Sequence, residues 1–123
     1  MHEFSMTKQI VENVLREARK HNAKKVTEVH LIIGELTFLG LEQVRFSYEV
    51  LVKETMMDGS KLYIEEKEGA VRCTKCGYEG PLNYEDDPAY HIRTPTLLCP
   101  KCQGVVQIID GRECTIRSVK LVV

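Results

Sequence analysis

Two C-x-x-C pairs, Cys73-Thr74-Lys75-Cys76 and Cys99-Pro100-Lys101-Cys102, constrain this chain more than any other feature. A two-residue gap lets both thiolates of a pair reach one ion, and two such pairs supply the four ligands of a tetrahedral metal at about 2.3 Å from each sulfur. The pairs therefore predict a four-cysteine site for Zn²⁺. Two disulfides, an iron–sulfur cluster or a redox role are the competing readings of the same residues. Five cysteines is an odd count, and Met1–Ser5 lacks the basic start and apolar core of a secretory leader. A reducing compartment, the cytoplasm, is the expectation, and there such pairs hold metal before they form disulfides.

Four cysteines leave no coordination position open, so the site reads as structural. Gly77 and Gly104 follow the second cysteine of each pair, where the turn is expected to need a positive φ. Lys75 and Lys101 put a cation beside each thiolate pair. Cys114 stands apart and is expected to act as a small buried hydrophobe rather than as a reactive thiol or further ligand.

The residues around the pairs have few periodic apolar positions, and all four prolines (Pro81, Pro88, Pro95 and Pro100) fall among them. A stretch so poor in apolar anchors needs metal to fold. Outside it the periodicities are regular. Met6, Ile10, Val14 and Ala18, with Val11 and Leu15, describe a first amphipathic helix capped by Ser5, with Lys20, His21 and Asn22 in its last turn. Val26 to Gly34 predicts a strand covered on both faces. Leu41 to Thr55 predicts a second helix with Leu41, Val44, Tyr48 and Leu51 on one stripe, followed by a turn at Met57–Ser60. Lys61 to Lys67 and Glu113 to Val123 complete three strands. The expected fold is α+β: two helices packed on a three-stranded sheet, residues 1–69 plus 110–123, with an inserted loop-rich zinc-ribbon domain at residues 70–109.

A net charge of −1 gives no general attraction to nucleic acid, and no apolar run approaches the ~20 residues that cross a bilayer. Between Val71 and Ile109, Arg72, Lys75, Arg93 and Lys101 balance Glu79, Glu85, Asp86 and Asp87. A nucleic-acid-binding zinc ribbon, the first alternative function, would carry a basic footprint. An enzyme is the second alternative, but no nucleophile–base set, phosphate loop or open metal position is visible.

The chain start offers a different chemistry. With Met1 retained and its amine free, that amine, the deprotonated His2 amide and the His2 imidazole form fused chelate rings. Planar nitrogen donors of this kind suit Ni(II) or Cu(II), and Glu3 adds an oxygen or an amide nitrogen. Taken alone, the residues favour a frayed terminal His2, with Glu3 merely favouring a helix N-terminus.

Met1-His2-Glu3-Phe4-Ser5, Gly34-Glu35-Leu36 after a strand, Arg45-Phe46 in the helix before Asp58-Gly59, the C-x-x-C-G…C-P-x-C insert, and Gly111-Arg112-Glu113 before the last strand occur here in one order. In that combination the chain resembles the HypA/HybF family of hydrogenase maturation nickel chaperones. Tyr90-His91-Ile92 between the cysteine pairs looks like the archaeal members. The resemblance implies a binding protein, not an enzyme, with Ni²⁺ as cargo and Zn²⁺ as structural ion. It implies His2 as chief nickel ligand, assisted by Met1 and Glu3, and Cys73, Cys76, Cys99 and Cys102 as zinc ligands. It further implies a maturation GTPase (HypB-like) and the hydrogenase large subunit as partners of a monomer or homodimer.

His91 reads either as an ordinary loop histidine or as an added nickel ligand from a linker folded back on the N-terminus. His21 suits a helix C-terminus and His30 a partly covered strand face; neither is expected to bind metal. The exposed side of the first helix, with Lys8, Glu12 and Arg16, is the expected partner surface.

Overall fold

The computed structural model describes residues 2–87 and 92–123 of the chain. It opens with helix α1, His2–Lys20, which buries Ile10, Val11, Val14 and Ala18 along the predicted stripe. The helix closes in a Schellman motif: Asn22 takes φ 55°, and the Ala23 and Asn22 N–H groups bond back to the carbonyls of Ala18 and Arg19. Its start differs from the sequence expectation. Ser5 is inside the helix rather than its cap, because Glu3 brings negative charge to the first turn and the Thr7 hydroxyl donates to the Glu3 carbonyl at 2.6 Å.

Strand β1, Lys25–Gly34, follows; then come a 3-10 turn, Glu35–Thr37, and helix α2, Leu41–Leu51. This helix is shorter than periodicity suggests. Thr55 donates its hydroxyl to the Val52 carbonyl at 2.6 Å, and Glu54 adopts φ 63°, which breaks the helical path. The predicted turn at Met57–Ser60 forms, and its first residue, Met57, is fully buried. Strand β2, Lys61–Lys67, lies parallel to β1, and strand β8, Cys114–Val122, lies antiparallel on its other side. Both helices cover one face of the β2–β1–β8 sheet. Val29, Leu31 and Ile33 point into that core, joined at the sides by Leu62, Ile64, Ile116 and Val119. The opposite face carries ion pairs, Lys120–Glu28 at 3.3 Å and Arg117–Glu65 at 3.1 Å.

Between β2 and β8 the chain forms strands rather than the loop-rich insert expected. They are β3, Ala70–Cys73, β4, Glu79–Gly80, β5, Asn83–Asp87, β6, Ile92–Thr96, and β7, Val106–Asp110. They pair as a β4–β3–β7 sheet and a β5–β6 ribbon. Apolar periodicity missed them because the elements are short and their core is small: Leu36, Val71, Cys73, Leu82, Cys99 and Val106. Pro95 sits within β6, which a two-stranded ribbon tolerates because one side of the strand needs no partner.

Three glycines join the two regions. The Gly34 N–H donates to the Glu113 carbonyl at 2.7 Å and the Leu36 N–H to the Gly111 carbonyl at 2.8 Å. Gly69 donates its N–H to Glu35 Oε1 at 3.2 Å. A Cβ on Gly34 would collide with the Gly111 carbonyl, and one on Gly111, already at φ +99°, would lie 2.6 Å from the Gly69 Cα. Gly34→Ala is therefore expected to destabilise the fold by at least ~1–3 kcal/mol through overpacking. Gly59→Ala, at φ +79° with open space around it, is expected to lose only the ~1–2 kcal/mol of a left-handed backbone. Denaturant unfolding of the two variants separates these costs.

Candidate metal centres

Cys73 ends β3 and Cys99 follows β6, and each opens a tight turn with the same hydrogen-bond ladder. In the first turn the Gly77 N–H donates to the Cys73 carbonyl (3.0 Å) and the Cys73 N–H to Tyr78 (2.8 Å). In the second, Gln103 donates to Cys99 (2.9 Å) and Cys99 to Gly104 (2.7 Å). The residue after the second cysteine of each turn carries the positive φ: Gly77 at 77° and Gln103 at 62°. Gly104 departs from the sequence expectation. Its φ is not positive, and its missing side chain instead leaves room. A Cβ there would stand 3.3 Å from Cys102 Sγ, 3.7 Å from Cys73 Sγ and 3.1 Å from Lys75 Cδ.

The turns bring the four sulfurs together, all within 4.8 Å of one another. Cys73 Sγ is 3.5 Å from Cys102 Sγ, and Cys76 Sγ is 3.5 Å from Cys99 Sγ. A tetrahedron with 2.3 Å metal–sulfur bonds has edges of about 3.8 Å, so the cage fits a zinc-sized ion with little adjustment. Cys73 and Cys99 are buried while Cys76 and Cys102 face solvent. Lys101 lies over the Tyr78 ring, 5.8 Å from its centre, so this cation is held at the rim of the cage.

The backbone prepares the site for an ion. N–H groups of Cys76 and Lys75 hold the Cys73 thiol down, to about 6. Burial opposes ionisation of Cys99, but the N–H groups of Cys102 and Lys101 lower it on balance. The Tyr78 N–H favours the Cys76 thiolate, yet burial and three neighbouring sulfurs push that thiol up to about 11. At neutral pH the four cysteines therefore mix thiolate and thiol, and an ion must expel the remaining protons. Zinc uptake is expected to release fewer than four protons per ion at pH 7, and more as the pH falls through the Cys73 value, as read by calorimetry in buffers of different ionisation enthalpy. Zinc affinity should fall over the same range. Chelation should erase the amide dispersion of residues 70–109 while α1 and β1 keep theirs.

The N-terminal candidates are placed only in part. Met1 and His91 lie outside the described residues. His2 is exposed at the first turn of α1. Glu3 Oε2 accepts the Gly40 N–H at 3.1 Å, and that bond leads the causes that lower the Glu3 carboxyl, followed by its own N–H and, more weakly, the charges of the terminus and His2. Sequence reasoning missed Gly40, whose contribution is a backbone donor that no residue pattern reveals. His21 faces Glu17 at 4.0 Å. His30 bonds Glu28 at 3.1 Å and stacks on Tyr63 with ring centres 4.7 Å apart. Both histidines are thus held within ordinary surface contacts. Cys114 packs against the first core, and burial pushes its thiol up, as its reading as a small hydrophobe requires. Among the described residues the four cysteines form the one convergence of three or more ligand side chains.

The family model described as hydrogenase/urease nickel incorporation, metallochaperone, hypA matches residues 1–121. The chain is 39% identical to the hydrogenase maturation factor HypA of Methanopyrus kandleri, covering 98% of this chain and 93% of the relative. It is 38% identical to that of Methanothermobacter thermautotrophicus, covering 98% and 97%. Its fold matches the solution structure of the Ni metallochaperone HypA from Helicobacter pylori with a TM-score of 0.63 at 22% identity, over 99% of this chain and 98% of that one. With its fold, its four-cysteine cage and these matches, the chain belongs to the HypA family, whose members are nickel-incorporation metallochaperones rather than enzymes.

Proposed function

We propose that the protein binds Ni(II) at its N-terminus and delivers it to the hydrogenase large subunit, working with a maturation GTPase in the cytoplasm. The observation that carries the proposal is the contrast between a saturated cage in the insert and an exposed histidine at the chain start. The cysteine cage has four sulfurs for one ion and leaves no position for cargo. His2 is exposed beside a carboxylate, Glu3, already fixed by the Gly40 N–H.

In this reading His2 is the chief ligand, with the Met1 amine and Glu3 completing a chain-end chelate and His91 as an added ligand. Cys73, Cys76, Cys99 and Cys102 hold Zn²⁺, and residues 70–109 form the zinc domain, with 1–69 and 110–123 forming the nickel domain. A chelate at a chain end exchanges its metal more readily than a buried cage, which suits a carrier. No helix among the described residues is long and apolar enough to cross a membrane, in keeping with a carrier that works in solution.

Metal titration of the protein and of His2→Ala tests the assignment. Zinc is expected to stay near one per chain in both, while nickel binding is lost in the variant; retained nickel affinity would reject His2. His91→Ala is expected to weaken nickel binding or alter its spectrum, and an unchanged spectrum and affinity would remove His91 from the site. Because the amine and amide must lose protons to bind, nickel affinity should decline as pH is lowered. The GTPase is expected to dock on the exposed side of α1, so charge reversals at Lys8, Glu12 and Arg16 should weaken its binding; unaffected binding would exclude that face.

A further inference from the structure

The first turn of α1 and the first two turns of α2 leave between them a notch of about 360 Å³, lined by Glu3, Phe4, Glu42, Gln43, Phe46 and Ser47. Its apolar walls are two phenyl rings. Phe46 is 69% exposed and Phe4 41% exposed, so the fold makes little use of either. Burying such a ring is favourable, and here much of that contribution is unclaimed. Arg45, the neighbouring cation on α2, turns away to donate to the Leu62 carbonyl at 3.0 Å. Among the described residues no lysine or arginine lines the notch, and its charged groups are the carboxylates of Glu3 and Glu42. Among the described residues Glu42 has no ion-pair partner.

We infer that this notch is the docking site for the protein that receives the nickel, and that it takes an apolar side chain (Leu, Met or Phe) flanked by Lys or Arg on a segment of that recipient. The inference rests on the proposed nickel delivery and adds the surface on which it happens. An apolar pocket with an acidic rim complements an apolar anchor beside a cation, and such charge pairing favours encounter and orientation. Position selects the recipient over other occupants. Glu3 and Phe4 directly follow His2, and a helix rises ~1.5 Å per residue. A segment seated against them therefore brings its own metal ligands next to the donor's, which transfer by ligand exchange requires. The exposed side of α1, with Lys8, Glu12 and Arg16 of mixed sign, remains for the GTPase.

The test measures binding of the full-length protein, zinc-loaded and with or without nickel, to purified nickel-free hydrogenase large subunit by biolayer interferometry. Phe46→Ser and Glu42→Lys are compared with Phe38→Ser, an equally exposed ring (67%) that does not line the notch. Phe46→Ser is expected to weaken binding about tenfold or more. Glu42→Lys should weaken it severalfold and flatten its salt dependence, and Phe38→Ser should leave it unchanged. Nickel affinity should be the same in all three. Wild-type affinity in Phe46→Ser, or no binding by the wild type, overturns the inference. So does an effect of Phe46→Ser confined to self-association or to GTPase binding, which would assign the notch to a second copy or to the GTPase. Because the nickel-free protein is also measured, a chain that takes up no nickel would reject the proposed function while the notch is still read on its own.

Discussion

Three backbone segments cross at Gly34, Gly69 and Gly111 with no side chain between them, and the rest of the structure depends on that contact. There β1 ends, the chain leaves β2 for the small sheet, and it returns from β7 to complete the large one. Hydrogen bonds from Gly34 and Leu36 and the Glu35 carboxylate close the crossing. Leu36 then places a side chain from the helical region inside the core around the cysteines. The two regions are thereby joined by packed backbone and a shared apolar residue, not merely by linkers.

The regions differ in what holds them. The core under α1 and α2 is built from Val, Ile, Leu, Tyr and Met and is sustained by apolar burial. The other core has six buried members, two of which are cysteines of the cage. Too little apolar surface is buried there to offset chain ordering, so metal ligation must supply the difference. The same saturation that makes the cage a good scaffold disqualifies it as a carrier. The cargo site proposed here instead uses donors that are exposed and replaceable, at the first turn of α1.

Much of this was legible from residues alone. The stripe from Ile10 to Ala18, the alternation of Val29, Leu31 and Ile33, and the two C-x-x-C pairs each encode their structure within a few positions. What escaped the sequence depended on groups that residue identity does not specify. The end of α2 is set by a threonine hydroxyl and a left-handed Glu54. Gly104 looked like a conformational glycine but is a steric one, while Gln103 takes the strained backbone. The short strands around the cage have registers but scarcely any apolar period. At the N-terminus the motif of His2 and Glu3 could be read, whereas the Gly40 N–H that fixes Glu3 could not. The proposed nickel set rests chiefly on the resemblance, since His2 alone reads first as a frayed terminal residue.

The placement of β8 has a kinetic consequence. This strand completes the large sheet beside β1, with Thr27 bonding the Lys120 carbonyl across 93 positions of sequence. Before β8 can dock, the chain from Gly69 to Gly111 must be brought end to end, an entropic cost on the order of 3 kcal/mol for a flexible loop of that length. Once an ion gathers the four cysteines and β3 pairs with β7, that loop is already shut at its base. Metal supply would then govern not only the small sheet but also how quickly a newly made chain finishes the large one.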